Sequence, residues 1–221
     1  MPRRYQILAT DEVYHVFNRS IGKEQIFTHK YSLKRAFDLI NYYRYAQRLR
    51  YSQFKLLSEE AKNNYISAVK KRSPLVDIYS FALMPNHYHL LVRQMHGNGI
   101  MQFIANFQNG FAKYFNLKED RHGGVFESTF KAKRIETDEE LLHLSRYIHL
   151  NPVTSFFISY KQLLTYPWTS FSDYKDKIDN SFVNTQEILN RYKTKENYFS
   201  FVKDQIDYQR KLNIIKHLTL D

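Results

Sequence analysis

A chain of 221 residues with 43% hydrophobic side chains can core one domain with appendages or two small ones, and six Gly and five Pro leave little room for long disordered linkers. The absence of cysteine excludes disulfides and thiolate metal sites, so any metal must be held by His, Asn, Gln, Asp or Glu. A formal net charge of +11 favours a polyanionic partner, nucleic acid ahead of an anionic membrane surface, and 18 Tyr and 17 Phe offer rings for base stacking although most must be core.

The start, Met1-Pro2-Arg3-Arg4-Tyr5, is basic but no apolar segment follows, and no run approaches the ~18 apolar residues of a membrane span. A cytoplasmic protein with no membrane partner is expected. Val13-Tyr14-His15-Val16-Phe17-Asn18 is β-branched and aromatic and predicts a first strand, with a loop at Gly22. From Thr28 onward Leu33, Ala36, Phe37, Ile40 and Tyr43 recur at helical spacing and predict an amphipathic helix over 28–48. Residues 49–74 are polar and basic and read as an inserted connection with a helix near 57–71.

Residues 76–83 predict a second strand, Met84-Pro85-Asn86 a tight link, and 87–93 a third strand in a hairpin-like pair. On a strand, His87 and His89 share one face and Tyr88 points to the other, which makes a two-imidazole metal clamp on a sheet. Such a His-x-His step is common, and two half-exposed histidines beside a sheet would be its ordinary outcome. Gly97-Asn98-Gly99 is a loop, and 100–116 predict a helix with Ile104, Phe107, Phe111, Tyr114 and Phe115 on one face. A turn at 121–124 leads to a fourth strand over 125–135, with a bend.

Thr137 predicts an N-cap, completed by Glu140 as a capping box, for a helix that carries Leu141, Leu144, Tyr147 and Ile148 and ends at Pro152. At i and i+4, Tyr147 and Asn151 lie one above the other. A helical tyrosine ordinarily packs, and an Asn before Pro ordinarily closes a helix. With His87 and His89, however, this pair supplies two nitrogen ligands, an amide oxygen and a nucleophile. That set suffices for metal-assisted phosphodiester cleavage through a tyrosine. Beyond Pro152 the pattern weakens to an aromatic loop over 166–171 and two or three short helices over 184–215, where Lys203, Arg210, Lys211 and Lys216 add positive charge.

The order β-α-β-β-α-β followed by a helix predicts an α+β fold: a ferredoxin-like antiparallel sheet with helices on one face, plus a helical C-terminal extension. Residues 1–175 form the nuclease-type domain in this reading and 176–221 the extension. Arg19, Lys131, Lys133 and Arg134 are placed to touch phosphates of DNA, and a charged, solvated strand edge accounts for them equally well. Phe126 and Phe130 lie beside Lys131 and Lys133 and suit stacking or core. His149 falls on another side of the helix from Tyr147 and is not expected to be a ligand, and His15, His122 and His143 follow no pattern.

Met84-Pro85-Asn86-His87-Tyr88-His89-Leu90-Leu91-Val92 followed by Tyr147-Ile148-His149-Leu150-Asn151-Pro152-Val153 resembles the single-tyrosine HUH transposases, and within them the REP-associated tyrosine transposase branch. Tyr14-His15-Val16-Phe17-Asn18-Arg19, the segment 124–131 and Tyr166-Pro167-Trp168 extend the resemblance over roughly residues 10–175. It implies a metal-dependent endonuclease and strand transferase acting on single-stranded DNA, usually at the foot of a hairpin or palindrome. It also implies Tyr147 as nucleophile, His87, His89 and Asn151 as metal ligands, and Mg or Mn as the working divalent metal. The compact insertion-sequence enzymes typically use Gln as third ligand, where this chain has Asn151. In this class the tyrosine helix completes a site in its own subunit or in a partner's, so a homodimer stays open, and a bacterial-type, nucleoid-associated location is implied. Two rivals remain: a nucleic-acid-binding protein whose site has decayed, and a metal-dependent hydrolase of small phosphoesters. The second leaves both the charge and Tyr147 without a use.

Overall fold

The computed structural model describes residues 7–175 and 181–208. Four strands, β1 (Val13–Arg19), β2 (Val76–Met84), β3 (His87–Gln94) and β4 (Lys131–Arg134), form one antiparallel sheet in the order β2-β3-β1-β4. That order is the ferredoxin-like one the element succession predicts. The helices are α1 (Lys30–Tyr43), α2 (Tyr51–Lys55), α3 (Glu59–Lys70), α4 (Gly99–Lys118), α5 (Asp138–Thr154), α6 (Tyr160–Leu163), α7 (Phe171–Lys175), α8 (Gln186–Leu189) and α9 (Lys195–Lys203).

The chain divides into two compact units. Among the described residues the first holds 7–77, 85–87 and 92–134; the second holds 78–84, 88–91, 135–175 and 181–208. In the first, α1 buries Leu33, Ala36, Leu39, Ile40 and Tyr43, and α4 buries Phe103, Phe107, Phe111 and Phe115 at every fourth position. Aromatic residues at that spacing line a single helix face, which is why so Phe-rich a segment is a helix and not a strand. Phe27, Phe111 and Phe126 close the cluster, with Phe27 and Phe111 centroids 4.7 Å apart and Phe111 and Phe126 5.8 Å apart. Phe126 is therefore core rather than a stacking platform. Gly110 allows α1 and α4 to come close, because a Cβ there would lie 3.3 Å from both Leu39 and Tyr43.

In the second unit the outer edge of β2 is covered by later chain. Leu83 N–H donates to the Trp168 carbonyl, Ala82 pairs with Thr169, and Ile78 pairs with Val183. An edge so covered no longer offers its ladder to another chain. The Tyr166-Pro167-Trp168 loop thus ends on the sheet.

Several boundaries differ from expectation. The helix predicted over 28–48 stops at Tyr43, because the following segment folds back and Arg48 and Leu49 N–H both donate to the Tyr65 hydroxyl. Helix α2 lies inside the connection at 49–74, too short to raise a periodic signal. The fourth strand is only Lys131–Arg134, with Phe126 held by a lone bridge to Ser20. Helix α5 does not end at Pro152 but runs on to Thr154. Proline's fixed φ suits a helix, and the lost N–H bond falls where the last turn is already closing. The helices predicted over 184–215 appear as α8 and α9; residues 209–221, with Arg210, Lys211 and Lys216, lie outside the described residues.

Candidate active site

Helix α5 starts where its sequence signals it. Thr137 accepts from Glu140 N–H at 3.1 Å, and Asp138, Glu139 and Glu140 put three carboxylates on the positive end of the helix dipole. The Glu140 carboxylate accepts from Glu136 N–H at 3.0 Å, one residue further back than a capping box requires. Nine residues on from the first helical position stands Tyr147, 38% exposed.

Within the second unit the Tyr147 ring meets His89 edge-on, with centroids 5.7 Å apart and planes at 82°. His89 is 6% exposed, so the tyrosine is the wet partner of the pair. Asn151, one turn beyond Tyr147 on the same helix side, is also 6% exposed, and its buried Nδ2 finds no hydrogen-bond partner among the described residues. His87 precedes His89 by two residues on β3, and its Nδ1 lies 2.6 Å from Asn86 Oδ1. An amide oxygen accepts, so Nδ1 carries the hydrogen and the ring's lone pair is on Nε2, the form in which an imidazole ligates a metal.

His87, His89 and Asn151 are donors of the chemical type a divalent ion takes, two imidazoles and an amide. The two ends of an Asn amide exchange by a half-turn, so the unpartnered end of Asn151 can present oxygen instead of nitrogen. A buried amide end without a partner is the observation that calls for an ion or a water there. Among the described residues no group of three or more His, Cys, Asp and Glu stands together to hold a metal.

The softer candidates sit in the first unit. Lys133 is the register partner of His15 and Lys131 that of Phe17, so all four share one face of the β1–β4 ladder. His15 and Phe17 stack at 4.6 Å, and the Lys131 ammonium is 6.0 Å from the Phe17 ring. Burial, and then the Lys133 charge, push the His15 imidazole down to about 4. Arg19 and Arg134 are already engaged by carboxylates. Arg19 pairs with Glu127, and Arg134 forks onto Glu12 at 3.0 and 2.6 Å. Arg146, next to Tyr147 in sequence, stacks 3.9 Å from the Phe201 ring centroid and bonds His143 Nδ1 at 2.8 Å.

Sequence reasoning did not anticipate what holds the other side of α5. His149 is fully buried, with Nδ1 2.7 Å from the Tyr198 hydroxyl and Nε2 2.8 Å from Ser170 Oγ. Tyr198 continues to Ser145 at 2.9 Å, Ser145 to Ser80 at 3.1 Å, and Ser80 to the Tyr174 hydroxyl at 3.2 Å. The direction of every hydrogen follows from the two ends. Tyr174 donates to the Tyr79 carbonyl at 2.7 Å, so it must accept from Ser80, Ser80 from Ser145, Ser145 from Tyr198, and Tyr198 from His149 Nδ1–H. At the other end Phe81 N–H donates to Ser170 at 2.9 Å, and Ser170 donates to His149 Nε2. Reversing the chain would give up the Tyr79 bond for one of 3.4 Å from Ser170 to the Phe81 carbonyl. His149 is thus neutral, with its hydrogen on Nδ1, and burial pushes it down to about 3. Burial raises both phenols, Tyr174 and Tyr198, so they remain donors.

The family model described as transposase, IS200-like, matches residues 45–151, which span both histidines, Tyr147 and Asn151. Over those residues the chain is similar to the IS200-like transposases. Its fold is similar to that of a REP-associated tyrosine transposase solved bound to a REP hairpin, with a TM-score of 0.52 and 16% identity over 78% of this chain and 84% of that one. A candidate transposase from Deinococcus radiodurans R1 matches with a TM-score of 0.37 and 10% identity over 66% of this chain and 95% of that one, too distant to bear on the argument. No curated protein sequence matches. No helix among the described residues is long and apolar enough to cross a membrane.

Proposed function

We propose that this protein is a metal-dependent endonuclease and strand transferase for single-stranded DNA, with Tyr147 as nucleophile and His87, His89 and Asn151 as ligands of Mg or Mn. The observation that carries the reading is the exposed Tyr147 ring set against buried His89, one turn from an Asn151 amide end that lacks a partner. The divalent ion, when bound, neutralises charge on the scissile phosphate and on the leaving 3′ oxygen. His87 and His89 act as neutral nitrogen donors, His87 oriented through its Nδ1–H to Asn86.

Tyr147 Oη gives up its proton and forms a bond to phosphorus while the bond from phosphorus to the 3′ oxygen breaks. The 3′ oxygen takes up a proton, leaving a 5′-phosphotyrosine ester and a 3′-hydroxyl. One proton is lost and one gained, so no further reactant is needed. Attack of a 3′-hydroxyl on the ester reverses the step and joins strands. Because Tyr147 and His89 of one chain already meet, we read the nucleophile and one ligand as coming from the same subunit. The structural relative was bound to a REP hairpin. The substrate proposed here is likewise hairpin DNA with a single-stranded foot, met by a chain of net charge +11.

The test is a denaturing gel of purified protein with labelled hairpin oligonucleotides from the flanks of its own gene, plus Mn. A covalent protein–DNA band is expected, lost in Tyr147→Phe and in His89→Ala. DNA bound in a native gel with no covalent band would instead support a decayed nucleic-acid binder.

A further inference from the structure

The first unit contains a cavity of about 480 Å3 walled by α1, α2 and α4. That size lies within the roughly 300–1,000 Å3 of small-ligand pockets. Three cations line it, Arg35, Arg50 and Lys113, and no carboxylate does. The arrangement comes directly from helix spacing. Residues 106, 109, 110, 113 and 117 form the side of α4 opposite its phenylalanine core, and 35, 39 and 43 form the matching row of α1. Helix α2, from the inserted connection, supplies the rest of the wall, including Tyr51.

The Arg35 guanidinium lies between two phenol rings, 5.1 Å from the Tyr51 centroid and 4.6 Å from that of Tyr114. The rings hold the guanidinium by cation–π contact, and no carboxylate lines the cavity beside it. Asp38, which holds the Tyr51 hydroxyl at 3.1 Å, is paired with Lys34 at 2.7 Å. A solvated basic groove is the ordinary reading of exposed lysines and arginines. It does not account for a guanidinium set between two aromatic rings in a cavity lined by no acid. Converging cations beside aromatic faces and an Asn109 amide are the donor set for a phosphate carrying a base.

We propose that this cavity is a nucleotide subsite, separate in its residues from the tyrosine site, that takes one unpaired nucleotide of the bound single-stranded DNA. The phosphate sits against Arg35, Arg50 and Lys113, and the base lies against the tyrosine wall, with Asn109 at its edge. The inference rests on the reading that the substrate is DNA.

The experiment measures binding of labelled oligodeoxythymidylate by the full chain across a salt series, together with photocrosslinking of the same strand carrying 5-iododeoxyuridine. The combined Arg50→Gln and Lys113→Gln variant, both exposed positions, should lower the salt slope by about 0.7, the contribution of one phosphate contact on a single strand. Tyr114→Ala should weaken binding about tenfold. Crosslinks should map to Tyr51 or Tyr114, and Lys195→Gln on α9 should change nothing. If the wild type binds DNA but the double variant keeps its slope and the crosslinks map elsewhere, the subsite is wrong and the DNA reading stands. If the wild type binds no DNA even at low salt, both fall.

Discussion

The two sides of helix α5 have opposite surroundings within the second unit. On one, Tyr147 is exposed and touches buried His89, and Asn151 offers an amide end with no partner among the described residues. On the other, Ser145 and His149, themselves one turn apart, are wholly buried in a chain of hydrogen bonds in which every donor has an acceptor. Positions 145 and 149 are each two residues from 147, about 200° around the helix, so one side can be locked while the other stays open. The contrast separates holding from reacting. A nucleophile must be reachable, yet its helix must not shift, and misplacement by even 1 Å is costly in catalysis. A neutral, fully satisfied network can hold a helix without placing a charge near the reacting phenol.

The sharpest way to break this contrast is at the open side. Tyr147→Phe should abolish the covalent DNA band while changing unfolding free energy by no more than about 0.5 kcal/mol, because it removes only the hydroxyl of a partly exposed ring and keeps the ring packed on His89. DNA affinity in a native gel should be nearly unchanged. Continued cutting by this variant would make water or another residue the nucleophile.

Legibility followed the same divide. The relation of Tyr147 to Asn151, and of His87 to His89, is a matter of local period, four on a helix and two on a strand. Both spacings can be read before any fold is known. So can the strand order, because a short Pro-Asn link and helical connections leave few topologies. The locked side could not be read, since His149 takes its partners from Ser170 and Tyr198, 21 and 49 residues further on. Nothing local distinguishes a histidine so placed from one facing water. The pairing of Arg134 with Glu12 across 122 residues was hidden for the same reason, as was the cavity, which needs α2, a helix of five residues. Pro152 misled because proline breaks helix interiors but tolerates a closing turn.

The locked side should fail by a large but smaller amount. His149→Phe keeps the volume but leaves the Tyr198 and Ser170 hydroxyls buried without their partner, at a cost of about 3 kcal/mol, read by denaturant unfolding. The covalent band should form more slowly even where the variant is fully folded, because α5 loses its lock. The wild type should also be acid-sensitive in a defined window. The folded-state His149 sits near 3, below the ordinary 6.5, so between those values the unfolded chain binds a proton that the native one does not. Stability is therefore complete above about pH 6.5 and declines as pH falls toward 3, by up to about 1.4 kcal/mol per pH unit. His15, near 4, adds in the same direction. His149→Gln should flatten the slope between pH 6 and 4, and an unchanged slope would mean that His149 is not neutral in the native state.

The smallest effect separates a helix that is merely stabilised from one that is positioned. Thr137→Ala removes the hydroxyl that accepts from Glu140 N–H and should cost about 1 kcal/mol through fraying of the first turn. Tyr147 lies almost three turns away, and the lock, Ser145 before it and His149 after it, flanks it on the helix. Formation of the covalent band should accordingly keep its wild-type rate, in contrast to His149→Phe. Two variants destabilised to different degrees would then differ in rate for a reason other than stability. If Thr137→Ala slows the reaction in proportion to its loss of stability, with His149→Phe on the same line, the network only stabilises α5 and positions nothing.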